Sequence, residues 1–254
     1  TSYGAEFNEH ICLALSEVDK AVDLMRLYSS GLSGQIRIGT VISIQRNFLP
    51  LLLSSFRKEF GDNIVFDIHQ ATTYSCIKGI QDGKLDVAFC GKLQDERDIS
   101  YIPMLTQNLV VGVDTSHELA RRKSVSLEEL KKYNLVSYRT ESYASTILEG
   151  LFRRAELSPK QGFNDEISAA SLVCAEKNVV AVMLETLDDH NIEGFVSIPI
   201  EEVRDPFHII YLAYKEHAFH SCVADQLIEF AQQFAKFPAG VASLEDFYRR
   251  ERAS

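Results

Sequence analysis

Residues 34–60 have the sequence GQIRIGTVISIQRNFLPLLLSSFRKEF. The pattern predicts a strand over 35–40, a turn at 41–43 and an apolar helix over 47–60, where Pro50 lies in the first turn and costs no hydrogen bond. Open α/β sheets bind ligands where a strand ends and a helix starts, because the helix N-terminus offers N–H groups and a positive dipole end. We therefore expect this turn to form half of a small-molecule pocket.

The segments that follow repeat the strand–helix pattern. A strand over 64–69, the hydroxyl-bearing turn 71–73, a helix over 74–82 and a buried strand over 85–90 form two βα units, which predict a parallel sheet with right-handed crossovers. A second series and a tail complete the chain: strands at 99–105, 109–113, 135–138, 162–166, 179–184, 195–200 and 207–214, helical segments at 116–121, 127–131, 143–155, 168–176, 185–190 and 220–237, and a short helix or disorder at 243–250.

The first 30 residues predict one long helix. Its apolar positions are spaced alternately by four and three residues, which is a heptad pattern. These positions are Phe7, Ile11, Ala14, Val18, Ala21, Met25 and Tyr28. The same pattern would suit an amphipathic helix lying on its own domain. We favour a dimerisation seam, because the Ser- and Gly-rich segment 29–34 separates the helix from the α/β part like a linker.

Composition excludes several classes of function. The chain has 254 residues and a net charge of −10, so it should not bind DNA or an anionic membrane strongly. No apolar run is long enough to span a membrane. The five cysteines lack metal-ligand spacing and are interpreted as reduced thiols, with Cys90 the best candidate for a catalytic or sensing thiol. The histidines are isolated and no catalytic motif occurs, so we expect no enzyme, no cofactor and no metal.

From residue 34 onward the chain resembles the effector-binding domain of a LysR-type transcriptional regulator. The matching segments are GQIRIGT at 34–40, LPLLLSSFRKEFGDNIVFDI at 49–68, LDVAF at 85–89 and SHELARRKSVSLEELKKYNLVSY at 116–138. Their order and spacing carry the resemblance, and the N-terminal helix resembles that family's linker helix. The family often has glycines before the strand at 179–184. Here Asn178 stands there and could adopt the left-handed conformation that glycine would supply.

The resemblance implies an α/β fold of two Rossmann-like lobes of the periplasmic-binding-protein type II, preceded by a long linker helix. We expect a linker or dimerisation helix at 1–33, lobe I at 34–106 and 206–237, lobe II at 107–205 and a tail at 238–254. It also implies a cytoplasmic bacterial regulator that forms a homodimer or homotetramer. DNA would be contacted only through an N-terminal helix-turn-helix domain, which we expect to precede this sequence in a longer protein.

The expected effector site combines residues from the resemblance with those from helix-start chemistry. Hydroxyl groups and backbone N–H groups at helix starts suit a carboxylate or another small anion, and Arg139 could supply a guanidinium fork. The candidate residues, which would line a cleft between the lobes, are Thr40, Ser43, Thr72, Thr73, Tyr138, Arg139, Thr140, Glu185 and Thr186. Thr73 could equally be a simple helix cap and Arg139 a surface ion-pair residue. Ser43→Ala or Thr73→Val should weaken effector binding with little loss of stability.

Two other functions fit a two-lobed fold. A free solute-binding protein of a transporter would be monomeric and would leave the heptad helix unexplained. An enzyme on this fold would need Cys90, or a histidine and a glutamate, to meet at the site. We expect instead a sensory domain in which a metabolite shifts the pairing of subunits and so controls transcription.

Overall fold

The computed structural model describes residues 32–45, 48–94, 96, 98–185, 192–203, 206–216, 220–235 and 242–243, together with residues 3, 7, 10, 11, 14, 18, 21 and 22. The chain divides into two compact units. The first comprises Thr1–Thr40, Pro50–Pro103 and Tyr211–Lys236, and the second Val41–Leu49, Met104–Ile210 and Phe237–Ser254. The lobe boundaries expected from the sequence stay predictions.

The elements alternate between strands and helices as the sequence predicts. The strands are β1 (Gly34–Thr40), β2 (Ile64–Gln70), β3 (Val87–Cys90), β4 (Ile99–Gln107), β5 (Leu109–Asp114), β6 (Asn134–Tyr138), β7 (Lys160–Phe163), β8 (Val179–Leu184), β9 (Phe195–Pro199), β10 (His208–Lys215) and β11 (Ala242–Ser243). The α-helices are α1 (Phe48–Phe60), α2 (Thr73–Gln81), α3 (Leu127–Leu130), α4 (Tyr143–Ala155), α5 (Glu166–Ala175) and α6 (Cys222–Phe234). Short 3-10 helices lie at Ile42–Ile44 and Glu118–Arg121.

The strands form two sheets. The first has the order β11-β4-β10-β3-β1-β2 and the second the order β7-β6-β8-β5-β9. In the first sheet β1 pairs in parallel with both β2 and β3, as the two βα units predict. In the second sheet β6 pairs in parallel with β7 and β8, and β5 runs antiparallel to β8 and β9. Each sheet therefore has one edge where several strands end before helices.

An ion pair fixes the start of β3 against β1. The Asp86 carboxylate accepts hydrogen bonds from the backbone N–H of Arg37 at 2.7 Å and from its guanidinium at 2.6 Å. This bidentate contact raises the pKa of Arg37, chiefly through the hydrogen bond to Asp86. The strand begins at Val87, two residues after the predicted start at Leu85.

Helix α2 packs closely on β1 through small residues. A Cβ atom placed on Gly39 would lie 2.7 Å from Leu85 Cδ1, 3.1 Å from Ala88 Cβ and 3.1 Å from Cys76 Sγ. A Cβ atom on Gly79 of α2 would also lie 2.7 Å from Leu85 Cδ1. Leu85 thus fills the space between two glycines, one on the strand and one on the helix.

Three further local predictions differ from the structure. The strand predicted at 162–166 ends at Phe163, because the Asp165 side chain accepts from the backbone N–H of Ser168 at 2.8 Å and caps a helix that begins at Glu166. Asn178 does not have a positive φ; among the described residues other than glycine only Glu156 does, with φ 54° at the end of α4. Of the tail predicted at 243–250, only Ser243 is described, and it lies in β11.

Replacing Gly39 with alanine should destabilise the first unit by about 1–3 kcal/mol, because the added methyl group overlaps atoms that are already packed. Urea unfolding measures this loss. Gly150→Ala is the matched control: its nearest atom, Arg154 Nη1, is 3.7 Å away, so the same substitution inside α4 should stabilise the protein by about 0.5–1 kcal/mol. Equal stability of wild type and Gly39→Ala would contradict the close approach of α2 and β1.

Candidate functional site

The carboxyl ends of β1, β2 and β3 meet at one edge of the first sheet. In the paired register, Thr40 lies between Gln70 of β2 and Phe89 of β3. The Thr40 carbonyl accepts a hydrogen bond from Ala71 N–H at 3.0 Å, and the Thr40 side chain is fully buried. Thr40 therefore holds the strand ends together from inside the unit.

Thr72 and Thr73 have different roles at the start of α2. Thr72 is the N-cap, since its hydroxyl oxygen accepts from Ser75 N–H at 3.3 Å. Thr73 is only 4% exposed, and its hydroxyl oxygen accepts from the backbone N–H of Gly91, directly after β3, at 3.2 Å. The alternative that Thr73 is a simple helix cap is wrong, because the preceding Thr72 has the extended backbone that a cap requires, whereas a role of Thr73 in effector binding stays a prediction. Thr73 instead joins α2 to the end of β3.

Ser43 lies in the 3-10 helix Ile42–Ile44, which follows β1 directly and belongs to the second unit. Its neighbour Ile44 is buried, and Ser43 itself is half-buried. No side chain caps this short helix. The expected role of Ser43 in effector binding stays a prediction.

The second unit has a corresponding edge at the ends of β6, β7 and β8. The Tyr138 hydroxyl donates to the buried Glu166 carboxylate at 2.6 Å and accepts from Leu184 N–H at 2.9 Å. The backbone N–H of Arg139 donates to the Phe163 carbonyl at 2.9 Å. Tyr138 is only 3% exposed, so its contacts position the strand ends, and the residues that follow it are the exposed ones.

Arg139 and Thr140 are exposed directly after β6. Among the described residues, the Arg139 guanidinium has no carboxylate partner, so the ion-pair alternative finds no support there. The Thr140 hydroxyl accepts from the Gln161 side-chain amide. Ser142 then caps α4 by accepting from Ser145 N–H at 3.0 Å.

The helix starts differ in charge. Helices α2 and α4 have no acidic residue in their first turns, whereas α5 has Asp165 as its cap and Glu166 as its first residue. A carboxylate at a helix N-terminus already satisfies the dipole and repels a second anion. The starts of α2 and α4 can therefore receive an anion, and the start of α5 cannot do so without repulsion.

A buried polar network that was not predicted lies at the end of β8. The Gln107 side-chain amide donates to the Glu185 carbonyl at 2.9 Å, and its oxygen lies 2.8 Å from His208 Nδ1. Burial lowers the pKa of His208 from 6.5 to about 4. The sequence signal was the pair of polar residues Thr106 and Gln107 between the apolar residues of LTQNLV, at the end of β4.

Glu185 also lines a separate depression in the second unit. Its carboxylate accepts from the Asn108 side chain at 2.7 Å. The depression has a volume of about 540 Å³ and is lined by Asn108, Leu109, Val110, Ser124, Glu185, Pro199, Ile200, Glu201 and Val203. It contains no other predicted effector residue, and its two carboxylates do not suit an anion. We therefore place the candidate site at the helix starts and not in this depression.

The remaining predicted residues have mixed outcomes. Thr186, Met25 and Tyr28 lie outside the described residues. Phe7, Ile11, Ala14, Val18 and Ala21 are helical and exposed, so the face expected to form a seam is open to solvent in the single chain. Their role in dimerisation stays a prediction.

The described part of the chain gives little support for a reactive thiol, a metal site or a membrane-spanning helix. Cys90 is fully buried, and the hydrogen bond with Cys76 together with burial raises the pKa of its thiol, which disfavours the thiolate. Among the residues that the structure covers, no group of His, Cys, Asp and Glu is arranged for a metal ion. Nor is any helix formed by those residues both long and apolar enough to cross a membrane.

Comparison with known proteins gives a consistent family. Residues 29–236 match the model described as LysR substrate binding domain. The uncharacterized HTH-type transcriptional regulator YybE of Bacillus subtilis is 24% identical over 175 residues, covering 68% of this chain and 60% of YybE. The transcriptional dual regulator GltC of the same organism is 25% identical over 204 residues, covering 79% of this chain and 68% of GltC.

A solved structure confirms the fold class. The effector binding domain of QuiR in complex with shikimate is 24% identical, with a TM-score of 0.71 over 80% of this chain and 97% of the QuiR chain. The predicted resemblance and the periplasmic-binding-protein type II fold are thus confirmed. The matched region covers 60% of YybE, so this chain spans less than two thirds of that relative's length.

Thr73→Val should destabilise the protein by about 1–3 kcal/mol, because it leaves the buried Gly91 N–H without an acceptor. This replaces the sequence-based expectation of little stability loss. Hydrogen exchange measured by NMR should show faster exchange of the Gly91 amide in Thr73→Val. Thr73→Ser, which keeps the hydroxyl, is the control and should retain protection; unchanged exchange in Thr73→Val would refute the assigned bond.

His208 should make stability depend on pH. Its pKa in the folded protein is about 4, below the ordinary value of 6.5, so the unfolded chain binds the proton more readily. The stabilisation is complete above about pH 6.5 and is lost as pH falls towards 4, by about 3 kcal/mol. Urea unfolding at both pH values should show this loss in wild type relative to His208→Asn, and identical pH profiles would disprove it.

Proposed function

Because the chain belongs to the LysR substrate-binding domain family, we propose that it is the sensory part of a transcriptional regulator and binds a small anionic effector. The carrying observation is that α2 and α4 begin without acidic residues at strand ends, and that Arg139 is exposed beside α4. Helix N-termini and a guanidinium together favour a carboxylate or phosphate. The shikimate bound to QuiR is a carboxylate of this class.

The effector site proposed for the second unit comprises Arg139, Thr140 and the N-terminus of α4. Arg139 supplies a charge that no described carboxylate neutralises, and the Thr140 hydroxyl lies next to it in the chain. Tyr138 and Glu166 hold the backbone of this segment in place. In the first unit, the start of α2 at Thr72 is a helix N-terminus of the same uncharged kind. A location of the effector between the lobes stays a prediction.

The regulatory step follows from the difference in affinity between conformations. An effector shifts an equilibrium only by binding one state more tightly than the other, and a change from 1:99 to 99:1 requires a difference of about 10⁴-fold in affinity. The proposed output is a change in how subunits pair. The exposed apolar residues Phe7, Ile11 and Val18 support self-association, because isolated helices rarely leave such residues uncovered.

DNA binding is proposed to belong to another part of the regulator. This chain has a net charge of −10, which opposes contact with phosphates. YybE is an HTH-type regulator, and the matched region leaves 40% of its length outside. A helix-turn-helix domain would therefore contact the promoter, and the present chain would control its position from a cytoplasmic homo-oligomer.

Arg139→Gln should weaken binding of the effector anion by about tenfold or more, because it removes a charge-assisted contact. Thermal unfolding with a panel of small carboxylates and phosphates, including shikimate and benzoate, identifies anions that raise the melting temperature. A ligand at 100 times its Kd should add about 2.7 kcal/mol of stability. Titration then compares Arg139→Gln with wild type.

Arg122→Gln is the matched control, since Arg122 is an exposed arginine that already pairs with Glu129 at 3.3 Å and should not affect binding. If wild type and Arg139→Gln bind a stabilising anion with equal affinity, Arg139 is not part of the effector site. Sedimentation of the same samples separates the alternatives. A strict monomer at high concentration would favour a free solute-binding protein.

A further inference from the structure

The protonation of the His208 ring follows from its neighbours. The Glu185 carbonyl can only accept a hydrogen bond, so the Gln107 group that contacts it at 2.9 Å must be the amide NH₂. The Gln107 oxygen therefore faces His208 Nδ1 at 2.8 Å. Because this oxygen also only accepts, Nδ1 carries the proton. In the neutral ring, Nε2 is then an acceptor whose lone pair of electrons is available for a hydrogen bond.

That acceptor has no partner in the described structure. Nε2 is buried and makes no hydrogen bond, and His208 as a whole is 8% exposed. A buried polar atom without a partner is costly. Protonation does not relieve the cost near neutral pH, since burial lowers the pKa of the ring to about 4. The site therefore calls for a hydrogen-bond donor.

The ring stands beside the start of α4. Its centroid lies 5.5 Å from that of Tyr143, the first residue of α4, with the two rings nearly edge to face. Helix α4 has 13 residues and no acid in its first turn. The unpaired acceptor and a helix start without acidic residues are thus neighbours through the Tyr143 ring, and both belong to the second unit.

We propose that the effector carries a hydroxyl or N–H donor in addition to its anionic group, and that His208 Nε2 accepts the hydrogen bond from that donor while the anion lies at the start of α4. This inference rests on the proposed function and narrows it to hydroxy acids or amino-substituted acids. His208 would then determine specificity, because an acid without the donor leaves Nε2 buried and unpaired.

Matched pairs of acids test the inference on the full chain. Each pair has the same skeleton with and without hydroxyl groups: shikimate and cyclohex-1-ene-1-carboxylate, lactate and propionate, malate and succinate, and 3-hydroxybenzoate and benzoate. In at least one pair the hydroxy acid should bind at least about tenfold more tightly than its counterpart. In protein labelled with ¹⁵N at histidine, the same acid should shift the unprotonated Nε2 resonance of His208.

His208→Asn should abolish the preference for the hydroxy acid, because asparagine can still donate to Gln107 but lacks the Nε2 acceptor. His69→Asn is the matched control: His69 is an exposed surface residue, 51% accessible, and its replacement should keep the preference. If His208→Asn fails to fold, the ¹⁵N titration of the wild type still decides the question.

The outcomes separate the inference from the proposed function. Equal affinity within every pair, with binding intact, overturns the inference and leaves the proposed function standing. A proton found on Nε2, or an Nε2 resonance that does not move when a hydroxy acid saturates the protein, also overturns it and assigns the acceptor to water. If none of the acids binds, both the inference and the proposed function are refuted.

Discussion

Parallel pairing in register is the constraint on which the candidate site depends. Because β1 is parallel to β2 and to β3, the three strands end at one edge of the sheet, with Thr40 between Gln70 and Phe89. The backbone beyond these ends can no longer bond within the sheet, so it needs partners of its own. Thr73 supplies one of them by accepting from Gly91 N–H. The helices also start at this edge of the sheet. Their N–H groups are the hydrogen-bond donors that an anion would find there.

The helices α4 and α5 start in similar positions but differ in the charge of their first residues. In the second unit α4 and α5 both follow strands that end at the same edge, but α5 begins with Asp165 and Glu166. Both acids satisfy the helix dipole, and Glu166 also accepts from the Tyr138 hydroxyl and so fixes the strand ends. Helix α4 uses only the neutral Ser142 cap. One helix start is therefore structural and the other remains electrostatically open, with Arg139 beside it.

The sequence predicts most of the fold because its elements are set by local patterns. The strand at 179–184 and the helix at 143–155 have the predicted bounds, since a continuous apolar run and a Ser142 cap define them locally. The roles of Thr72 and Thr73 could not be told apart, because either hydroxyl could cap a helix and only the backbone at Thr72 decides. The prediction that a strand reaches residue 166 did not take account of Asp165. The side chain of Asp165 can cap a helix, and this competes with extended structure.

The polar network at Gln107 shows why a site is harder to predict than a fold. Neither Gln107 nor His208 belongs to a motif, and the two are 101 residues apart in the chain. Only their contact, and the Glu185 carbonyl beyond it, determines which ring nitrogen carries the proton. A tautomer is thus fixed by a backbone carbonyl two hydrogen bonds away. Since a buried acceptor distinguishes ligands by whether they donate a hydrogen bond, the proposed specificity would come from strand ends that local sequence patterns treat as ordinary core.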